Sequence, residues 1–520
     1  MPPKIKYLLP SIAHSLFVIV FLHLSLNIGS NLLVDCDTGF HIKAGEYILE
    51  TRSIPKYDPF SLFSPPMPWP THEWLSDVIM ASIAKISGLS GVVLFFIFMI
   101  SITYSILFRV LRSNKGNIIV DIILIVFVLV TSQMHWLARP HMFTLVFLIA
   151  WYYILDSFQN DRNNFLYLLP PIMLLWINLH GGFILGFITI IVYLIYNIMK
   201  SYLSEGTEKE IHTRKVKYFF LATMASAIVS LVNPKGFHTL LFPFDVVSNR
   251  LIMDNYGEFL SPNFHYDPFT PFRYFLLLMI ACFGIFKVKL NFIELALVLI
   301  FVNMSLFSAR YIPLFAMTVA PILSKHVNIM LNQTNNKVIN MVVNKAKVQE
   351  SIDGSARGYV WPVVAIFIVI ILAASNRINF KFDEKIKPVT AVKFLKKEHF
   401  PGNMFNNDEF GDYIIYSAYP RYKVFFDSRA DIYGNEKLQD YLNVINMKPG
   451  WEKIFDKYNI NWIIYNTDSA LSQYLALKKD WKLVYADNVA NIYIKNIREN
   501  EYLINKYGNE KSLMMEKDLK

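Results

Sequence analysis

Two acids separated by one residue open the stretch VDCDTGFHIKAGEYILE, residues 34–50: Asp35 and Asp37, with His41 four residues further on. Carboxylates placed this way can take a proton from a hydroxyl as a general base. Alternatively, the pair can hold a divalent cation through hard oxygen ligands. Residues two apart diverge on a helix, so both acids can aim at one point only if they do not share one. Other reactive types recur in short clusters. HEW supplies His72 and Glu73, HWLARPH supplies Arg139 and His141, WINLHGG supplies Asn178 and His180, and FSARYIP supplies Arg310. The planar forks of Arg139 and Arg310 suit a phosphate or diphosphate. The histidines can move protons or touch phosphate, and Trp69, Trp74 and Trp136 can stack on a ligand ring. Each residue also has a plainer use. Loop acids are commonly solvated or capping, an arginine at a span end reaches for lipid head groups, outer tryptophans anchor at the interface, and LHGG serves a tight turn.

The elements that must carry these residues are membrane spans. Of 520 residues, 54% are hydrophobic and 17% charged, where soluble domains carry about 25% charged residues. The apolar runs also reach the length of about 20 residues that crosses a bilayer. Eleven spans are expected, near 7–28, 89–111, 117–134, 141–156, 164–179, 182–199, 217–232, 272–287, 291–306, 309–325 and 358–376. Lys and Arg gather in alternate connections, from Lys4 and Lys6 through Arg109, Arg112, Lys115, Arg214, Lys215, Lys217, Lys287 and Lys289. That bias places the N-terminus in the cytoplasm. It also accounts for most of the net charge of +10, so no nucleic-acid partner is implied. An odd number of spans puts the chain beyond residue 377 outside, and every cluster named above then lies on the external side.

The span interiors are poor in ionisable groups. Asp121 and Glu294 fall near cytoplasmic ends, and His14 reads as mid-span. A transporter keeps such groups or broken helices near the midplane, so a site at the outer surface fits better than a path across. Cys36 and Cys282 fall in unlike settings, and no disulfide between them is expected.

Two outer loops are long, 29–88 and 233–271. In the first, HIKAGEYILE reads as an amphipathic segment on the membrane surface, and the Pro-rich RSIPKYDPFSLFSPPMPWP excludes a long helix. THEWLSDVIMASIAKISG then reads as a helix with Thr71 as N-cap. Beyond 385 the pattern changes. Short β-rich runs (NMF, YKVFF, NWIIYN, WKLVYA, NIYIKN) alternate with helical DEFGDYIIYSAY, EKLQDYLNVIN and SALSQYLALKK, which predicts a small α/β domain. The expected organisation is a transmembrane region 1–378 with its two long loops, an α/β domain 385–497 and a charged tail 498–520.

The stretches DCDTGFHIKAGEYILETRSIPKYDPFS, HEWLSDV, ARPHMF, WINLHGGFILG, NPKGF, ARYIPLFA, GDYIIY, FFDSRADIY and WKLVYAD resemble, in content and order, the GT-C superfamily of integral-membrane glycosyltransferases, and within it a bacterial group. The resemblance covers most of the chain. It implies a polytopic helical protein of the bacterial cytoplasmic membrane with an extracytoplasmic α/β domain. It further implies transfer on the outer face from a polyprenyl-phosphate- or diphosphate-linked sugar, by a single inverting displacement, to a glycan, lipid or protein acceptor. An acid in the first outer loop is then the general base, here Asp37 or Asp35, with Asp37 slightly favoured. His41, His72, Glu73, Arg139, His141, Asn178, His180 and Arg310 become candidate substrate contacts. The Asp-Glu pair of the protein mannosyltransferases is absent from this loop, and so is the Trp-Trp-Asp of oligosaccharyltransferases, so neither substrate carries over. FFDSRAD, with Asp427, Arg429 and Asp431, is the candidate acceptor contact in the α/β domain; the other reading is a salt-bridged turn. Two further functions compete: a flippase of lipid-linked glycans and a non-catalytic membrane assembly protein.

Overall fold

The computed structural model describes residues 3–508 other than 70, 115, 286, 287 and 335. Lys115, Lys287 and the tail beyond Gly508 thus lie outside the described residues. The chain divides into two compact units. One comprises Met1–Gly29, Val92–Ser248 and Met253–Asn379; the other comprises Ser30–Gly91, Asn249–Ile252 and Phe380–Lys520.

The first unit is helical. Across the chain, length and apolarity select seven candidate spans: Lys6–Leu33, Trp74–Ser113, Ile118–His135, His141–Gln159, Gly181–Leu203, Asp267–Ile285 and Ala309–Gln333. The bent pair Ile339–Ser355 and Val360–Ala374 makes an eighth if counted as one. This is a multi-pass membrane protein. Three of the expected spans fall short of that test: Leu166–Leu179 and Phe292–Phe307 are shorter apolar helices, and Gly206–Val229 carries Glu208, Arg214, Lys215 and Lys217 in its first half. The unit's core packs large rings such as Tyr104, Trp151, Trp176, Tyr193 and Phe219, all fully buried. Ile122, Ile123, Val126, Phe367 and Ile370 are exposed on helix surfaces instead, as lipid-facing side chains are. His14 lies in the first turn of Ile12–His23, inside the candidate span Lys6–Leu33, where it forms a capping box with Ser11 and meets Arg109 at 3.0 Å.

The second unit is built from remote parts of the sequence. Strands β1 (Asn403–Asn406), β2 (Ile460–Asn466), β3 (Trp481–Ala486) and β4 (Ala490–Lys495) form one sheet in the order β1-β2-β4-β3. β1 runs parallel to β2, and the β3–β4 hairpin is antiparallel. Asp487 Oδ1 caps that turn by accepting the Val489 and Ala490 N–H groups at 2.7 Å each. The expected run YKVFF is not a sheet strand. Its Val424 instead donates to the Phe60 carbonyl and accepts from the Leu62 N–H, so its backbone pairs with the Pro-rich loop.

Helix α1 (Asp37–Thr51) differs from the surface segment expected of it. It is buried on most sides, and two glycines explain how. A Cβ at Gly45 would stand 1.9 Å from the Asp77 carbonyl oxygen, and one at Gly39 would stand 2.8 Å from Tyr416 Cβ. Only glycine lets the helix approach so closely, on one side to the start of Trp74–Ser113 and on the other to α2 (Asp408–Ala418). Helix α3 (Ala430–Ile445) follows FFDSRAD. Trp74–Ser113 is interrupted at Gly88, where φ is 65° and ψ −168°. This matches the expected division into an outer helix and a span, but Thr71 has φ 42° and precedes the helix by three residues, so it is no N-cap.

Candidate active site

Asp37 is the first residue of α1 and is buried. The partial positive charge of a helix N-terminus favours an anion there. The half-buried Asp35 stands outside the helix, before the Cys36 N-cap. Facing this end of α1 is Asp412 on α2, a carboxylate with no accessible surface. Its Oδ1 accepts from Ser428 Oγ at 3.0 Å, while Oδ2 is buried without a donor among the described residues. Burial first, then the charges of Asp37 and Asp427, push the Asp412 carboxyl well above the ordinary carboxylate range. The shift favours the neutral form of the Asp412 carboxyl.

One turn along α1, His41 Nδ1 meets Asp77 Oδ1 at 2.7 Å, and its Nε2 lies 3.9 Å from Glu73 Oε2. Burial opposes a charged ring, but Asp77, Glu73 and Asp37 outweigh it and raise the His41 pKa. His72 stands beside Glu73 at 3.7 Å. Among the described residues no group of three or more His, Cys, Asp or Glu is arranged to hold a metal ion.

FFDSRAD forms a buried ion cluster, the salt-bridged turn of the two readings. Arg429 donates through Nε and Nη2 to both oxygens of Asp427 at 2.9 and 2.6 Å, and through Nη1 to Asp58 at 2.9 Å. Phe40, Trp69 and Phe60 surround the guanidinium with ring centres at 4.5, 5.0 and 5.5 Å. Trp69 is thus packed in the interior. Such a pair stabilises only when fully hydrogen-bonded, which the fork geometry achieves. Burial raises Asp431 to about 6.

The other candidates lie in the first unit. Arg139 and Arg310 share one carboxylate: Glu258 Oε2 lies 3.8 Å from Arg139 Nη1, and Oε1 lies 3.4 Å from Arg310 Nη1. Burial works against its charge, yet Arg310 and Arg139 hold the Glu258 pKa down at about 2. His141 belongs to the same cluster. Its Nε2 donates to the His135 carbonyl at 2.9 Å, and His135 Nε2 donates to the Ala309 carbonyl at 3.0 Å. His180 sits 6.4 Å from the His141 ring and pairs with Thr144 at 2.7 Å. Asn178 Nδ2 donates to the Leu174 and Val232 carbonyls, a helix-tying use.

Asp412, Asp77 and Glu258 were not singled out from sequence. The available signal was an acid inside an apolar context, GDYIIY, EWLSDVIM and YGEFL respectively.

No protein-family model matches the chain, and no curated protein matches it by sequence. Solved structures do. The archaeal oligosaccharyltransferase AglB from Archaeoglobus fulgidus, in complex with an inhibitory peptide and a dolichol-phosphate, aligns over 89% of this chain and 70% of its own, with 10% identity and a TM-score of 0.57. The Archaeoglobus fulgidus oligosaccharyltransferase in its apo form aligns over 94% and 74%, with 9% identity and a TM-score of 0.52. The chain has the GT-C fold. At these identities the likeness concerns the fold alone.

Proposed function

We propose that this GT-C protein is a glycosyltransferase of the bacterial cytoplasmic membrane, with its N-terminus cytoplasmic and residues 385–497 outside. It moves a sugar from a polyprenyl-phosphate- or diphosphate-linked donor to a hydroxyl of a glycan, lipid or protein. The acceptor oxygen attacks the anomeric carbon as the bond from that carbon to the phosphate oxygen breaks. Asp37 receives the acceptor proton, and the lipid phosphate departs with the electron pair. Arg139 and Arg310, in the first unit, are the proposed contacts of a lipid phosphate, planar forks suited to that group.

The observation that carries this reading is Asp37 itself: a buried acid at a helix N-terminus, beside the fully buried carboxyl of Asp412. In its support, a protein of the same fold binds dolichol-phosphate and a peptide. Asp35, on the loop side of Cys36, takes the lesser role of shaping the approach.

The test is surface-glycan and glycoprotein mass spectrometry of a deletion strain. A sugar should vanish and return with the wild-type gene. Asp37→Asn should restore about 10²–10⁴-fold less transfer, with the protein still folded in the membrane, and Asp35→Asn should restore most of it. Full restoration by the double variant would remove the base from this loop.

A further inference from the structure

Within the second unit, the end of α1 and the start of Trp74–Ser113 line a cavity of about 320 Å³ that the proposed reaction does not use. Ile48 and Leu49 come from α1, Ile54 from the loop behind it, and Trp74 and Val78 from the outer helix. Only two members of the lining are polar, Arg52 and Ser53. Ser53 Oγ is spent, donating to Thr51 Oγ1 at 3.2 Å. Arg52 is the C-cap of α1, in the left-handed conformation with φ 52° and ψ 31°. It is exposed, and its side chain makes no hydrogen bond or ion pair among the described residues.

An apolar cavity with one unpaired cation beside it complements an amphiphile with an anionic head. A peptide fits poorly, because its N–H and C=O groups would meet no partner on such a lining. A hydrocarbon chain has no such groups to satisfy, and a guanidinium fork suits a phosphate. Both walls are continuous with membrane spans. α1 begins four residues after the candidate span Lys6–Leu33. Val78 precedes the break at Gly88 by ten residues, about 15 Å of helix, and Ile86 in that interval is exposed.

We propose that this cavity holds an acyl chain of an anionic membrane phospholipid, with Arg52 on its phosphate. The lipid fastens the first-loop helices to the bilayer, including the helix that carries Asp37 at its other end. The polyprenyl donor is the competing occupant, but its phosphate has its proposed contacts at Arg139 and Arg310, whereas phospholipid surrounds every span.

The experiment is native mass spectrometry of the full-length protein released from detergent micelles. The probes are dioleoyl phosphatidylglycerol and its zwitterionic counterpart, dioleoyl phosphatidylcholine. Wild type should hold one phosphatidylglycerol about fivefold more tightly than phosphatidylcholine. Arg52→Gln should keep a bound lipid but bring the two to parity. Val78→Trp fills the cavity and should release both; Leu49→Trp, at an exposed position, should do the same without disturbing the interior. No preference in wild type, or a preference that Arg52→Gln leaves unchanged, overturns the contact between Arg52 and phosphate. Lipid held as tightly by both Trp variants as by wild type overturns the cavity as its seat. Glycerol 1-phosphate, a head group without chains, should not displace the lipid at equal concentration; displacement would make this a site for free phosphates. Displacement by polyprenyl phosphate at a much lower concentration than phosphatidylglycerol would hand the cavity to the donor and overturn the phospholipid. Binding is read without transfer, so the result stands whichever acid is the base.

Discussion

At the scale of single residues, the unusual group is Asp412. A buried carboxyl with one oxygen bonded to Ser428 and the other without a donor among the described residues is costly when ionised. The sign of its pH effect follows from the raised pKa. In the folded chain Asp412 keeps a proton that the unfolded chain releases at a pKa of about 3.9. Stability therefore falls as pH rises above that value and levels off only past the folded-state pKa; below about 3.9 both states are protonated and the penalty is gone. Asp412→Asn, fixed neutral, should melt higher than wild type by a margin that widens from pH 4 to pH 8. A margin independent of pH in thermal unfolding would show that the proton is not there. Glu258 follows the opposite sign: its stabilising contribution is complete above about 4.5 and is lost only as pH drops toward 2.

At the scale of elements, α1 shows what a sequence reveals and what it conceals. Its helical spacing was legible, and so were the acids at its start. Its burial was not, because the residues that cover it, Tyr416 on α2 and Asp77 on the outer helix, lie in distant or separately patterned segments. YKVFF is the same lesson reversed: its composition is that of a strand, but Val424 finds its hydrogen-bond partners at Phe60 and Leu62, and no periodicity encodes that choice. The Arg139–Glu258–Arg310 cluster was half legible. The arginines stood out by type; the acid between them came from a loop with no helical or strand register to place it. Two glycines separate the physics of contact from that of backbone strain. Gly45→Ala, forced against a backbone carbonyl, should cost about 1–3 kcal/mol through overpacking. Gly88→Ala meets open space and should cost a similar 1–3 kcal/mol for its backbone conformation alone. Pairing each with a size series settles this by chemical denaturation: Leu at 45 should be worse than Ala, whereas Leu at 88 should add little beyond Ala.

At the scale of the whole molecule, the proposed orientation has its own measurement. Leu477 is 84% exposed and Tyr202 is 83% exposed. In a chain with Cys36 and Cys282 replaced by Ser, Leu477→Cys should react with a membrane-impermeant maleimide on intact cells, and Tyr202→Cys only after permeabilisation. The reverse pattern would invert the topology. The ion cluster around Arg429 carries one more consequence, for biosynthesis. Asp58 and Arg429 are 371 positions apart, and at 5–20 residues per second the ribosome makes the acid on the order of 20–70 s before its partner. Throughout that interval Phe40, Phe60 and Trp69 have no guanidinium to pack around. The segment bearing Asp37 thus cannot mature until translation is nearly finished, so a prematurely terminated chain inserts its spans yet never assembles its acid pair.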